Sequence, residues 1–206
     1  MEEIIEKFLK KEGFTLSKEK IEKLSLFLKE LKKWNKKVNL VSFKTDEELI
    51  KRHLLDSLYF KYAFEYFNLD PKEIFDVGSG AGFPGIPLSI LYENKLFDLI
   101  EIRKKRALFL EHIKRFLDLK NVKVLNEDIK NIKKYPDLII CRAFAPLNKI
   151  EDLLSSFIKE NVPVLIVRGK KLDDISHLKI SKPKIFKYKP KEDFERNFIL
   201  LEKKDF

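Results

Sequence analysis

The segment DVGSGAGFPG, from Asp76 to Gly85, constrains the fold of this chain more than any other feature. It holds four glycines in eight residues, between a short apolar segment and an apolar helical pattern that begins near Ile86. Glycines at this density are costly unless the backbone needs unusual dihedral angles or a close approach to another group. A strand, a glycine-rich turn and a helix, in this order, are how an α/β fold holds a nucleotide-like ligand.

From residue 74 onwards, strand and helix patterns alternate along the sequence. Such alternation predicts an α/β fold with a mostly parallel sheet that helices cover on both faces. No convincing helix separates the last two strands, which lie near Pro183 and Pro190, so we expect them to form an antiparallel hairpin. The predicted strands lie near residues 74–77, 97–101, 122–125, 137–141, 163–167, 184–188 and 198–202, and the helices near 86–93, 104–118, 149–159 and 171–177.

The first part of the chain has a helical pattern instead. We predict a helical cap over residues 1–70 and a ligand-binding domain over residues 71–206. In the cap, Ser17 is a suitable N-cap for a second helix over 18–31, and a third helix is expected over 46–67. The segment between them, residues 33–43, is too apolar for a simple linker and is expected to pack against the cap.

The composition restricts where such a chain works. Its apolar runs are too short to span a bilayer, and Met1 is followed by two glutamates rather than by a signal-peptide pattern. The single cysteine, Cys141, excludes an internal disulfide, which favours a reducing compartment. We therefore expect a cytoplasmic protein with no membrane partner, acting as a monomer. No His, Cys and Asp cluster has metal-ligand spacing, so no metal is expected.

The formal net charge of +10 is concentrated in two segments. Residues 103–134 carry eleven lysines and arginines against four acids, and residues 168–191 carry nine against two. Two basic segments on a small protein indicate a polyanionic partner such as a nucleic acid. A solvated lysine-rich surface explains the same charge equally well, so composition alone leaves both interpretations open.

Acidic residues follow three successive predicted strands. Asp76 ends the first strand, Glu101 ends the second, and Asp128 follows the third. In doubly wound folds, an acid at the end of the second strand accepts hydrogen bonds from ribose hydroxyls. Asp128 is expected within reach of an adenine amino group, and the glycines at 78, 80 and 82 are expected to bring bare backbone amides to the ligand. These positions predict a ligand that contains ribose and adenine.

Two cofactors fit this description. Gly80, Gly82 and Gly85 satisfy the pattern GxGxxG, and Glu101 follows Gly80 by about twenty residues, as NAD binding requires. The overlapping pattern DxGxGxG, from Asp76 to Gly82, fits S-adenosylmethionine better. A carboxylate is favourable beside an ammonium and a sulfonium group, whereas beside a pyrophosphate it is repulsive. We therefore predict S-adenosylmethionine, with NAD as the alternative.

At this point the sequence resembles a known family, the bacterial 16S rRNA guanine-N7 methyltransferases (RsmG, also called GidB). The resemblance covers nearly the whole chain. The extension GFPGIPL after the glycine motif is specific, because generic methyltransferases lack it. The shared segments are WNKKVNL at 34–40, RHLLDSL at 52–58, DVGSGAGFPGIPLSI at 76–90, EIRKKRALFL at 101–110 and RAFAPL at 142–147.

The resemblance implies a class I S-adenosylmethionine-dependent methyltransferase fold, which is Rossmann-like, with a seven-stranded sheet and an N-terminal helical cap. It also implies that 7-methylguanosine is formed in 16S rRNA, either as naked RNA or within a small-subunit assembly intermediate. The chain departs from the family pattern at residues 126–129, at Cys141, where a serine is common, and at Arg168-Gly169, where Lys-Gly is common. The predicted cofactor-binding residues are Asp76, Gly78, Ser79, Gly80, Gly82, Phe83, Glu101, Asp128, Ile129 and Arg142.

Methylation at guanine N7 makes modest chemical demands. The nitrogen already presents a lone pair in the plane of the ring, so no general base is expected. Arg142 is predicted as the positioning residue of catalysis, on the cofactor's carboxylate or on the guanine. Cys141 as a nucleophile is a weaker alternative, because it ends an apolar strand. Contacts to RNA are predicted for Lys104, Lys105, Arg106, Arg168 and Lys170. The remaining alternatives are an RNA-binding protein with a vestigial pocket and an NAD-dependent oxidoreductase.

Overall fold

One mixed sheet forms the centre of the molecule in our computed structural model, which describes residues 1–142, 145–169, 175–191 and 195–204. Its strand order is β3-β2-β1-β4-β5-β7-β6. The first five strands run parallel, and β7 is antiparallel to both β5 and β6. This confirms the predicted α/β fold and its closing hairpin. The strands are β1 (Glu73–Val77), β2 (Leu96–Ile100), β3 (Val122–Leu125), β4 (Leu138–Arg142), β5 (Val164–Arg168), β6 (Ser181–Tyr188) and β7 (Arg196–Lys203).

The helices of the described residues flank this sheet. Short 3₁₀ turns occupy Ile129–Asn131 and Ile175–His177, and a π-helical segment occupies Ile50–Leu55. Residues 171–174 of the helix predicted over 171–177 lie outside the described residues. The α-helices are α1 (Glu2–Lys11), α2 (Lys18–Val38), α3 (Asp46–Leu49), α4 (Asp56–Leu58), α5 (Phe60–Tyr66), α6 (Gly85–Leu91), α7 (Lys104–Phe116), α8 (Leu147–Leu153) and α9 (Ser155–Lys159).

Three predicted helices have different bounds in the structure. As predicted, α2 begins after Ser17, whose side chain accepts a hydrogen bond from the Lys20 amide, but it continues through the first half of the predicted loop. It ends only at Asn39, whose φ of 51° stops the helix. The helix predicted over 46–67 is divided by the π-helical segment and again at Tyr59, and the helix predicted over 149–159 is divided at Leu154.

Two clusters of buried apolar side chains cover the two faces of the sheet. Side chains on successive strand residues alternate between the faces, so Ile74 lies in one cluster and Phe75 in the other. The first cluster contains α6, α7 and the helical cap, and the second contains α8 and α9. The first cluster therefore contains residues from both sides of position 70, where we predict the boundary between two domains. That boundary stays a prediction.

The cap contacts the glycine-rich segment through aromatic packing. Phe27 of α2 is fully buried, and its ring centroid lies 5.2 Å from that of Phe83. The loop that follows β1 therefore lies between the sheet and the cap. Among the described residues, no helix is long and apolar enough to cross a membrane.

We expect Phe27→Ala to lower the free energy of unfolding by about 3–5 kcal/mol, because it leaves a cavity between the cap and the loop. Phe116→Ala is the matched control, since that ring is 46% exposed. Its effect should stay below about 1 kcal/mol. Urea unfolding measures both values, and equal losses in the two variants would contradict the packing described above.

Candidate active site

The glycine-rich loop occupies the carboxyl end of β1, where the order of the parallel strands reverses. Gly78, Gly80 and Gly82 have φ angles of 75°, 55° and 88°, in the left-handed region that side chains disfavour. A Cβ atom on Gly82 would lie 2.8 Å from Cγ1 of Ile86. On Gly85 it would lie 2.3 Å from Cδ2 of Leu99. The loop thus depends on glycine for its turns and for its close contact with the helix and the sheet.

The amides of this loop are used inside the protein. Those of Gly78 and Ser79 donate to the carbonyl oxygen of Ile100 at 2.9 and 3.2 Å, and that of Gly82 donates to Ser79 at 2.7 Å. The Gly80 amide donates to a side-chain oxygen of Glu101 at 2.9 Å. The expectation that the glycines at 78, 80 and 82 bring bare amides to a ligand is therefore wrong. Backbone amides need acceptors, and here they are supplied by the end of β2, by Glu101 after it and by the loop itself.

Asp76 supports the loop from below. Its carboxyl group is 1% exposed, and Oδ2 accepts a hydrogen bond from the Gly85 amide at 3.0 Å. Burial raises the pKa of this carboxyl to about 7. The other oxygen, Oδ1, is buried with no hydrogen-bond partner among the described residues. Ser79 is equally buried, and its hydroxyl donates to the carbonyl of Asp76. Direct contacts of Asp76 and Ser79 with a cofactor stay predictions.

Glu101 joins the loop to the next helix. One carboxylate oxygen accepts from Gly80, and the other accepts from the Arg103 amide at 2.7 Å, just before α7. Its backbone carbonyl accepts from the side chain of Asn126, after β3. Each carboxylate oxygen has a second lone pair, so the group can still accept a hydroxyl. Glu101 lies at the predicted edge of the sheet, and its contact with ribose stays a prediction.

Residues after β3 complete this edge. Asp128 is half-buried and accepts a hydrogen bond from the Lys130 amide at 3.0 Å, which caps the 3₁₀ turn. Ile129 is 4% exposed and packs in the second apolar cluster. Ile102, which the sequence analysis did not single out, is 65% exposed directly after Glu101. The edge therefore offers both carboxylates and an apolar side chain.

Arg142, at the end of β4, contacts the cap through His53. Its Nη1 atom lies 3.1 Å from Nδ1 of His53, and Nε2 of His53 lies 3.3 Å from the carbonyl oxygen of Ser42. Arginine can only donate, so Nδ1 is the acceptor and Nε2 carries the proton. Burial, together with the cation of Arg142, lowers the pKa of His53 to about 4. His53 is therefore neutral at physiological pH and already committed to both neighbours.

Phe83 connects this pair to the glycine-rich loop. Its ring is 6% exposed and lies 5.4 Å, between centroids, from the imidazole of His53. The ring of Phe83 also faces the cap. Its contact with the cofactor stays a prediction.

Beside Arg142 lies a cavity of about 180 Å³, which we call the arginine cavity. Within it, Nε of Arg196 donates to Oδ1 of Asp56 at 2.9 Å, and both side chains are buried. Asp56 follows directly on the π-helical segment, a feature common at functional sites. The residues that line the arginine cavity are Asp56, Arg142, Val167, Arg168, Gly169 and Arg196.

Sequence reasoning assigned no role to Asp56 or Arg196. The segment RHLLDSL was a signal for Asp56, because it belongs to the shared motifs. Nothing in the strand pattern around Arg196 marks it, since its partner lies 140 residues earlier. The predicted RNA contact Arg168 is half-buried and lines the same cavity.

The other predicted RNA contacts that the structure describes do not line the arginine cavity. Lys104 and Lys105 are exposed at the start of α7. Arg106 is half-buried, with Nη1 3.6 Å from the position that a Cβ on Gly80 would take. Lys170 lies outside the described residues. Cys141 is fully buried, and burial raises the pKa of its thiol, so it supplies no thiolate nucleophile.

Solved methyltransferase structures share this fold, and one of them contains bound S-adenosylmethionine. Magnesium protoporphyrin IX methyltransferase from Synechocystis, solved with bound S-adenosylmethionine, matches 91% of this chain and 98% of its own, with 12% identity and a TM-score of 0.59. An rRNA methylase from Streptococcus thermophilus matches 72% of this chain and 97% of its own, with 12% identity and a TM-score of 0.51. The chain therefore has the class I methyltransferase fold of these structures.

Sequence comparison identifies the family. Residues 20–192 match the GidB family model, described as rRNA small subunit methyltransferase G. Ribosomal RNA small subunit methyltransferase G from Aquifex aeolicus is 37% identical over 174 residues, which are 83% of this chain and 87% of that protein. The protein of the same name from Francisella tularensis is 36% identical over 181 residues, covering 86% and 85%. This chain belongs to the rRNA small subunit methyltransferase G family.

We expect Gly85→Ala to lower the free energy of unfolding by about 1–3 kcal/mol, because the new methyl group overlaps Leu99 and the carboxyl of Asp76. Gly169→Ala is the matched control, since a Cβ there meets none of the described residues within 4 Å. Urea unfolding of the two variants tests the difference. If Gly85→Ala proved as stable as Gly169→Ala, the close contact would not exist.

The state of His53 can be measured by NMR titration of its imidazole. We expect a midpoint near pH 4 instead of 6.5, and a higher midpoint in Arg142→Ala, which removes a neighbouring cation. Between these pH values the unfolded chain binds a proton that the folded protein excludes, so stability should fall as the pH falls. An unshifted midpoint in the wild-type protein would show that Nδ1 does not accept from Arg142.

Proposed function

We propose that this protein transfers the methyl group of S-adenosylmethionine to N7 of a guanine in 16S rRNA and forms 7-methylguanosine. Membership of the small-subunit rRNA methyltransferase family gives the enzyme class and the type of RNA. The observation that carries the finer proposal is the position of Arg142, which lines the arginine cavity and leads, through His53, to the glycine-rich loop. We call the edge of the sheet formed by this loop, Glu101 and Asp128 the crevice. Its substrate would be naked RNA or an assembly intermediate, and we propose a monomer that acts in the cytoplasm.

The residues of the crevice fit S-adenosylmethionine. Gly78 is exposed on a loop whose amides at four positions are occupied within the protein. A pyrophosphate needs free amides, whereas an ammonium or sulfonium group needs acceptors. Glu101 and Asp128 offer carboxylate oxygens at the same edge of the sheet, and Asp76 adds Oδ1, which has no hydrogen-bond partner among the described residues. This arrangement supports a cationic cofactor over NAD. When bound, S-adenosylmethionine supplies an electrophilic methyl group.

The protein's contribution to the reaction is positioning. Guanine N7 is a nucleophile without losing a proton, so the enzyme needs no general base. His53, the histidine beside the crevice, is consistent with this, because its Nδ1 already accepts from Arg142. Holding two reactants in alignment can supply about 7–11 kcal/mol of the barrier. Arg142 would hold the guanine or the cofactor's carboxylate with the donors that His53 does not use.

Basic residues near the crevice would bind the RNA backbone. Lys104 and Lys105 are exposed at the start of α7, directly after the residues that contact Glu101. With Arg106, Arg168 and Lys170 they are proposed to neutralise phosphates, which orients the RNA without reading its sequence. Such binding weakens as salt concentration rises, because each contact releases counterions.

The decisive experiment incubates the purified protein with labelled S-adenosylmethionine and rRNA from cells that lack the modification. Nucleoside mass spectrometry should then detect 7-methylguanosine. Arg142→Ala should lower kcat/KM for the RNA by at least about 100-fold, the size of effect that misplaced reactants produce. Arg115→Ala, on the exposed end of α7, is the matched control and should remain active.

Two results would contradict the proposal. Methyl transfer to another nucleoside would remove the guanine-N7 assignment, and binding of rRNA without any methyl transfer would indicate a vestigial pocket. Full activity of Arg142→Ala would remove the role of this residue.

A further inference from the structure

The arginine cavity brings together side chains from the cap and from three strands. Asp56 comes from α4, Arg142 and Arg168 end β4 and β5, and Arg196 begins β7. Both β4 and β5 are parallel strands, so their carboxyl ends face the same side of the sheet as the glycine-rich loop. The cavity therefore opens at the edge where the crevice lies, on the β4–β5 side of it.

Among the described residues, three arginine side chains and one carboxylate line this cavity. Asp56 and Arg196 form a buried ion pair, which rarely stabilises a protein more than apolar residues of the same volume would. Among the described residues, the guanidinium of Arg142 makes one hydrogen bond, to His53, although it has five N–H groups. Buried donors of this kind need acceptors, and a ligand in the cavity would supply them.

The cavity adjoins the crevice through a continuous set of contacts. Arg142 contacts the imidazole of His53, and that imidazole packs against Phe83 of the glycine-rich loop. Arg142 thus both lines the cavity and leads, through His53, to the glycine-rich loop. The volume of about 180 Å³ is smaller than that of a site for a whole drug-sized ligand, and it suits a single base.

We propose that the arginine cavity receives the target base, and that Asp56 reads its Watson–Crick edge by accepting hydrogen bonds from N1–H and the 2-amino group. This inference rests on the proposed function and adds the origin of base specificity. Guanine alone among the four bases presents two adjacent donors and the acceptor O6 on that edge, matching a carboxylate beside arginines. Its N7 lies on the other edge of the purine and would face the crevice.

The carboxylate also favours a base over a backbone phosphate in this cavity. The three arginines would attract any anion, but a phosphate has no N–H group that could donate to Asp56, and the apolar side chain of Val167 offers it no hydrogen bond. Arg196 would act as a positioning residue, because its bond to Oδ1 holds the Asp56 carboxylate in place. Single-stranded RNA bases are commonly recognised through hydrogen bonds on this edge.

The test compares rRNA that carries guanosine at the target position with rRNA that carries inosine there, prepared by ligation around a synthetic oligonucleotide. Inosine lacks only the 2-amino group. We expect inosine to lower kcat/KM of the wild-type protein by about 10- to 100-fold, since a site built around a substrate donor discriminates against its absence. This comparison does not depend on any variant folding.

Asp56→Asn supplies the second arm. We expect kcat/KM of this variant on guanosine RNA to be about 100-fold below that of wild type. Its kcat/KM on inosine RNA should be less than about threefold below its own value on guanosine RNA, because the contact between the carboxylate and the 2-amino group is already lost. Its affinity for S-adenosylhomocysteine, measured by calorimetry, should stay within about twofold of wild type, which a general structural defect would not allow. Asp118→Asn, with a side chain that is 75% exposed, is the matched control and should behave as wild type.

Each outcome has a separate meaning. An equal inosine penalty in wild type and Asp56→Asn would overturn the role of Asp56. No inosine penalty in either protein would show that the cavity binds another group, such as a phosphate. A wild-type protein that fails to methylate guanosine RNA would overturn the proposed function, and this inference with it.

Discussion

A buried carboxyl group at the end of β1 holds the loop on which the site is built. Oδ2 of Asp76 accepts the amide of Gly85, at a point where no side chain would fit between the loop and the sheet. Glu101 makes the corresponding contacts at the end of β2, with Gly80 and Arg103. Together the two acids fix the start of α6 and of α7 relative to the parallel strands. They satisfy the buried amides of the loop, which would otherwise be costly.

The second constraint is the contact between the cap and the far side of the crevice. The π-helical segment carries His53, whose partner is Arg142 at the end of β4. Asp56 follows this segment directly, and its partner is Arg196 at the start of β7. Breaking a buried ion pair leaves an uncompensated charge, which costs about 3–5 kcal/mol. The cap is therefore tied to the methyltransferase sheet by charge as well as by the packing of Phe27 on Phe83. A tightly held cap is suited to positioning, which is the main demand of this reaction.

Local sequence patterns were sufficient for most of the fold. The alternation of strand and helix patterns predicts the parallel sheet, because the spacing of apolar residues in each element reflects burial on one side of it. Ser17 marks the start of α2, because its cap is a local hydrogen bond. The end of α2 was missed, since no periodicity reveals its two causes. The side chain of Asn35 accepts hydrogen bonds from the amides of residues 40 and 41, and Asn39 adopts a left-handed conformation. The interruption at Ile50–Leu55 was missed for a similar reason, because its apolar spacing remains close to that of an α-helix.

The sequence by itself determined the class of the protein, its family and the edge of the sheet that carries the site. Glycines and acids at the ends of strands are local features, and a parallel sheet brings such ends together. Only the tertiary structure decided what these groups do. It showed that the amides of the loop are occupied, that Asp76 supports the loop from below, and that Asp56 meets Arg196 across 140 residues of chain. Hydrogen bonds and ion pairs between distant segments depend on how the elements pack, and no spacing along the chain encodes them.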